Sequence, residues 1–196
     1  MLTVENTKQW LIIFSEKIKE NAAYLSELDK EIGDGDHGSN MVRGVEAMEE
    51  KISASDIEDL DELFKTAAMT LLSKIGGASG PLYGSALIEM AKQAKTGDSN
   101  LTALLHAGLQ GIQKRGKAEP GEKTMVDVWL PVIEALENKT LSKETIQSAV
   151  EDTKSIKATK GRASYYGDRS IGHVDPGAAS SGYFFEAMLE SGVTHG

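Results

Sequence analysis

The stretch Leu60-Asp-Glu-Leu-Phe-Lys-Thr-Ala-Ala-Met-Thr-Leu-Leu-Ser-Lys-Ile75 carries Leu60, Leu63, Phe64, Ala67, Leu71, Leu72 and Ile75 at spacings of three and four. That spacing gathers the apolar side chains on one face of an α-helix. The same period appears in Trp10, Phe14 and Ile18 on the N-terminal side, and in Leu101, Leu104, Leu105, Leu109 and Ile112 beyond it. Further helices are predicted over 41–52, 81–95, 125–136, 143–157 and 178–190, the second with Pro81 at an early helical position. Runs of alternating β-branched residues are missing, so the expected fold class is all-α with about eight amphipathic helices.

The chain has 196 residues, no repeat and no linker long enough to divide it, so one domain over 1–196 is expected. Without cysteine there is no disulfide framework, thiolate nucleophile or zinc–thiolate site, and a reducing compartment fits. The start, Met-Leu-Thr-Val-Glu-Asn, lacks the basic and apolar regions of a signal peptide, and no segment is long enough to span a bilayer. A cytoplasmic protein is therefore expected. A formal charge of −9 argues against binding that rests on neutralising a nucleic-acid backbone.

Chemistry concentrates in the junctions between helices. Asp29, Asp34 and Asp36 fall within Leu28-Asp-Lys-Glu-Ile-Gly-Asp-Gly-Asp-His-Gly-Ser-Asn40. Hard divalent cations need oxygen ligands, and Mg²⁺ is commonly held by a few carboxylates together with nucleotide phosphates. The competing reading is a plain turn, since Gly and Asp both favour one. A calcium loop of the EF-hand type fails, because counting from Asp34 puts Ser39 where Gly is needed and Val45 where Glu is needed.

Three other glycine-rich junctions accompany it: Gly76-Gly-Ala-Ser-Gly-Pro-Leu-Tyr-Gly84, Arg115-Gly-Lys-Ala-Glu-Pro-Gly-Glu-Lys-Thr-Met125, and Lys160-Gly-Arg-Ala-Ser164 continuing to Gly172-His-Val-Asp-Pro-Gly-Ala178. Gly76 to Pro81 ends one helix and starts another, and free N–H groups at a helix start bind anions. Gly111 to Lys117 imitates a P-loop but has Ala118 where Ser or Thr must reach Mg²⁺, and a helix rather than a strand precedes it. Of the 4 histidines, His37 adjoins Asp36 and His173 lies near Asp175, while no pair has zinc-ligand spacing. Arg162 and Arg169 sit with Tyr165 and Tyr166 in a polar stretch, 161–172, that reads as a mobile loop able to cover a site.

Taken in order, G-D-G-D-H-G, G-G-A-S-G-P, G-K-A-E-P-G-x-K-T-M, G-R-A-S-Y and I-G-H-x-D-P-G-A resemble the nucleotide-binding L subunits of dihydroxyacetone kinase, over about residues 10 to 190. The resemblance implies a barrel of eight antiparallel helices with ADP or ATP and magnesium, two ions, bound at one end. By matching positions, Asp29, Asp34 and Asp36 hold the metal. His37, Gly38, Ser39, Asn40, Ala78 and Ser79 line the nucleotide, with Ser79 near the β-phosphate. Gly116, Met125, Arg162 and the turn Asp175-Pro176-Gly177 complete the pocket, Arg162 and Ser79 stabilising phosphate.

In that family dihydroxyacetone is held covalently by a separate K (DhaK-type) subunit. In the phosphotransferase-system version a phosphohistidine on an M (DhaM-type) subunit recharges bound ADP. A stand-alone L-type chain, in a homodimer or a heteromeric complex, points to that version. Two alternatives are the nucleotide domain of a related ATP-dependent kinase acting on another hydroxyketone, aldose or fatty acid, and a helical metal-binding protein without catalysis.

Overall fold

The computed structural model describes residues 1–195. The described residues form nine α-helices: α1 Val4–Glu20, α2 Ala22–Ile32, α3 His37–Ala54, α4 Leu60–Lys74, α5 Ser79–Ala94, α6 Leu101–Gly116, α7 Val126–Glu137, α8 Lys143–Asp152 and α9 Pro176–Glu190. Short 3₁₀ turns cover Thr153–Ser155, Arg162–Ser170 and Val193–His195, and no strand occurs among the described residues. The fold is all-α, as the spacing predicts.

The eight helices read from the sequence are all present, and α2 is the addition. Only Asn21 separates α1 from α2, and both pack against α3 and α9. Together they form a single stave of the barrel, broken at Asn21. Several boundaries differ from the expectation, among them that of α3, which begins at His37 rather than at 41. The helix predicted over 143–157 gives way after Asp152 to a 3₁₀ turn, α5 begins at Ser79, before Pro81, and the stretch read as a mobile loop contains the 3₁₀ segment Arg162–Ser170.

Side by side, the staves run α1, α3, α4, α5, α6, α7, α8 and α9, and α9 returns to α1, closing the ring. Short connections between sequential, adjacent helices make neighbours antiparallel. The core is one continuous cluster of apolar side chains drawn from every stave.

The last helix, α9, is buried on nearly all sides, because Ala178, Ala179, Ser180, Ser181 and Gly182 let its neighbours approach while Phe184, Phe185 and Met188 fill the barrel. Phe184 lies 4.6 Å from the Trp10 ring, 5.3 Å from Phe14 and 5.4 Å from Trp129, centroid to centroid. Both indoles also donate hydrogen bonds to α9, Trp10 to the Phe184 carbonyl at 2.8 Å and Trp129 to Ser181 Oγ at 3.2 Å. Phe184→Ala is expected to cost about 3–5 kcal/mol of unfolding free energy, since a ring enclosed by five aromatic partners leaves a cavity that the neighbouring rings fill poorly. Urea denaturation followed by circular dichroism measures it.

Candidate functional site

Because adjacent staves alternate in direction, α3, α5, α7 and α9 all begin at one end of the barrel, where α2, α4, α6 and α8 finish. Each helix start leaves backbone N–H groups without intrahelical partners and carries the positive end of the helix dipole. The four starts border one cavity of about 720 Å³, a size suited to a small-molecule ligand. Its wall includes Asp36 and His37 from α3, Ala78 and Ser79 from α5, Thr124 and Met125 from α7, and Asp175 to Gly177 from α9.

The aspartates are aimed into this cavity by the turn between α2 and α3. Gly35, between Asp34 and Asp36, takes φ +77°, a left-handed conformation that costs glycine little. Asp29, on the last turns of α2, accepts the N–H groups of Asp36 at 2.9 Å and His37 at 3.1 Å through one oxygen. It thereby caps α3 in place of Asp36, whose own carboxylate makes no capping bond and stays available to the cavity.

One carboxylate oxygen from each of Asp29, Asp34 and Asp36 lies within 4.8 Å of the other two. Opposite ligands of an octahedral Mg²⁺ stand roughly 4.2 Å apart, so the donor set fits a hard cation with small movements. Asp34 is meanwhile paired with the guanidinium of Arg162.

Behind the aspartates sits a buried polar network. His37 Nδ1 is 3.1 Å from Ser79 Oγ, and its Nε2 is 3.0 Å from Ser180 Oγ, which in turn is 2.8 Å from the Tyr83 hydroxyl. Burial pushes the imidazole down to about 4, so His37 is neutral at neutral pH and acts as a fixed dipole linking α3, α5 and α9. Asp175 caps α9 by accepting the Ala178 N–H at 2.8 Å, and burial pushes its carboxyl up to about 7.

The two shifts have opposite consequences for stability in the metal-free protein. The unfolded chain protonates His37 near its ordinary value of 6.5 while the folded chain resists until about 4, so this contribution is present above 6.5 and is lost as pH falls through 4. Asp175, ordinarily at 3.8, favours the folded state while protonated, so its contribution is present below 3.8 and is lost as pH rises through about 7. The first is worth roughly 3 kcal/mol and the second roughly 4 kcal/mol, and between about pH 4.5 and 6.5 their pH dependences largely cancel. His37→Gln is expected to leave a protein whose urea midpoint drops on going from acid to neutral pH, and Asp175→Asn one whose midpoint rises.

Most residues singled out from the sequence come together here. Asp29, Asp34, Asp36, His37, Asn40, Ala78, Ser79, Met125, Arg162, Asp175, Pro176 and Gly177 all line the cavity. Gly38, Ser39 and Gly116 do not. A Cβ on Gly38 would lie 1.9 Å from the Ala22 carbonyl oxygen, so this glycine serves the close contact of α3 with α2. Ser39 is exposed and donates to the Asp36 carbonyl at 3.0 Å, while Gly116 stands behind Leu82, itself a wall residue. Leu82, Lys123, Thr159 and Tyr165 also line the cavity without having been assigned a role from the sequence. Leu82 and Lys123 lie inside motifs quoted above, which was the available signal; Thr159 had none.

Comparison with known proteins identifies the family. The model of the DAK2 domain matches residues 31–190. The chain is 54% identical over 191 residues to the protein named PTS-dependent dihydroxyacetone kinase, ADP-binding subunit DhaL, of Lactococcus lactis, covering 97% of this chain and 98% of that one. Against the PEP-dependent ADP-binding subunit DhaL of Escherichia coli the identity is 41%, covering 91% and 92% of the two chains. Human triokinase/FMN cyclase is 35% identical over 85% of this chain, which spans only 32% of that protein. The crystal structure of the dihydroxyacetone kinase from C. freundii in complex with AMP-PNP and Mg²⁺ superposes with a TM-score of 0.76 at 22% identity, covering 94% of this chain and 33% of that one, a likeness of fold. By family model and by identity along nearly its whole length, this chain belongs to the DAK2-domain family and, within it, to the DhaL subunits of dihydroxyacetone kinase.

Proposed function

We propose that the chain binds ADP or ATP with Mg²⁺, two ions, in the cavity at the mouth of the barrel and forms the nucleotide-carrying part of a cytoplasmic dihydroxyacetone phosphotransferase. The observation that carries this reading is the meeting of three clustered aspartates with four helix N-termini on one cavity. Negative phosphates match the helix starts, and the metal reconciles those phosphates with the carboxylates. A metal nucleotide held there would supply a phosphoryl carrier between a phosphohistidine on a DhaM-type subunit and dihydroxyacetone on a DhaK-type subunit.

The chain's own residues position and neutralise, which is most of what phosphoryl transfer asks of a protein. Asp29, Asp34 and Asp36 are the metal ligands in this reading. The backbone at Ala78 and Ser79, with the Ser79 hydroxyl, receives phosphate oxygens at the start of α5. The neutral His37 holds that hydroxyl in place. Arg162 faces the phosphates once Asp34 turns to the metal, and Leu82, Met125 and Pro176 offer apolar wall to the base. His37, the histidine of the cavity wall, has both ring nitrogens engaged, so acid–base chemistry at dihydroxyacetone is assigned to the partner subunit.

Thermal denaturation tests the reading. A ligand that binds only the folded state stabilises it by about 2.7 kcal/mol at a hundredfold excess over Kd. ADP with Mg²⁺ is expected to raise the melting temperature by several degrees, and EDTA to erase the rise. An equal rise with ADP in EDTA would show that the aspartates hold no metal for the nucleotide.

A further inference from the structure

Lys123 is 1% exposed, yet it lies among the residues that border the cavity and takes φ +63°, an uncommon conformation for a lysine. A lysine in a nucleotide cavity invites a phosphate contact, but here the ammonium is already committed. Its Nζ donates to the carbonyls of Thr153 at 2.6 Å, Ile156 at 3.1 Å and His173. An ammonium has three N–H donors, so none remains for a ligand.

The three acceptors are the two feet of one segment. The chain leaves α8 through Thr153 and Ile156, runs along the cavity wall with Thr159, Arg162 and Tyr165, and returns through His173 to the start of α9. Elsewhere it touches the aspartate turn through the Tyr166 hydroxyl, which donates to the Gly33 carbonyl at 2.9 Å, and through Arg162 on Asp34.

We propose that Lys123 is a positioning residue that clamps both feet of the 156–173 segment to the rim of the barrel and so sets where Arg162 stands over the bound nucleotide. The placement of Arg162 against phosphate rests on the proposed nucleotide site; the clamp itself does not. Lys123 is also carried on the junction that starts α7, so one side chain ties α7, α8 and α9 together at the mouth.

Hydrogen–deuterium exchange on the nucleotide-free protein is the first test. Lys123→Met keeps the length of the side chain and removes the donors. It is expected to speed exchange of amides in 156–173 by about tenfold or more while α1, α4 and α6 keep wild-type protection. Unchanged exchange in 156–173, or acceleration spread evenly through the barrel, would overturn the clamp.

Calorimetry with ADP and Mg²⁺ on a double-mutant cycle is the second. Lys123→Met is expected to lower affinity about tenfold, with Arg162→Ala adding little in that background although it costs affinity in the wild type. Fully additive losses, with wild-type exchange in the segment, would make Lys123 a direct phosphate ligand and end the proposal. Should Lys123→Met fail to fold, Lys123→Leu, which also lacks donors, undergoes the same measurements with the same criteria. A chain that binds no ADP at all overturns the nucleotide site, and the exchange result still decides the clamp.

Discussion

Asp36→Asn is expected to lower affinity for ADP in the presence of Mg²⁺ by at least a hundredfold while leaving the helical fold intact. Loss of an outer hydrogen-bond partner of a metal ligand costs about 10–100-fold in metal affinity, so removing the charge of a ligand itself stands at or beyond the upper limit. The fold is spared because Asp36 is exposed, makes no capping bond and contributes nothing to the apolar core. Stability without ligand is expected to hold or rise, since one of three neighbouring negative charges is gone.

The three positions differ in a way that sharpens the test. Asp34→Asn removes the partner of Arg162, an exposed pair worth little to stability. Asp29→Ala removes the acceptor for the N–H groups of Asp36 and His37, and loss of such a cap costs about 1 kcal/mol. Calorimetry with ADP and Mg²⁺, alongside urea denaturation, separates the two effects. Wild-type affinity in all three variants would remove the metal assignment.

The purified chain alone is expected to show no turnover of dihydroxyacetone, with activity appearing only when a DhaK-type subunit is added. The cavity offers carboxylates for a cation, helix N-termini for phosphate and one arginine. His37 is neutral, buried and bonded on both sides, and Asp175 is occupied in capping α9. The histidine of this wall is thus committed to the barrel, so anchoring of the ketone is assigned to the partner subunit and the expected drop without it is to background. With both partner types present and only the bound ADP as nucleotide, turnover is expected to continue. Full activity of the lone chain with free ATP would refute the division of labour, and dependence on free ATP despite both partners would refute the recharging of bound nucleotide.

Helix content and the polar junctions that border the cavity were legible in the sequence because both are written locally. A three-and-four spacing such as Leu60, Leu63, Phe64 and Ala67 reports a buried face wherever the helix comes to lie. A cluster of Asp and Gly between two such segments reports a turn with oxygen ligands. The helix α2 escaped this reading because its only buried residues are Leu25 and Ile32, too sparse a stripe to show a period. Gly38 and Ser39 were assigned by matching positions, and because a helix turns successive side chains by about 100°, Gly38 faces α2 and the Ser39 side chain faces solvent.

By itself, then, the amino-acid sequence determined an all-helical, cysteine-free acidic chain whose polar glycine-rich junctions carry the candidate site residues. Only the tertiary structure decided that these junctions meet. Closing the staves into a ring in alternating directions brings the starts of α3, α5, α7 and α9 to one mouth, although they are spread from His37 to Pro176. It also decided what burial does there. His37 becomes neutral and Asp175 hard to ionise, and Lys123 spends its three donors on carbonyls from the two ends of a distant segment. Desolvation and long-range hydrogen bonding depend on which parts of the chain exclude water from one another, and no local pattern of residues encodes that.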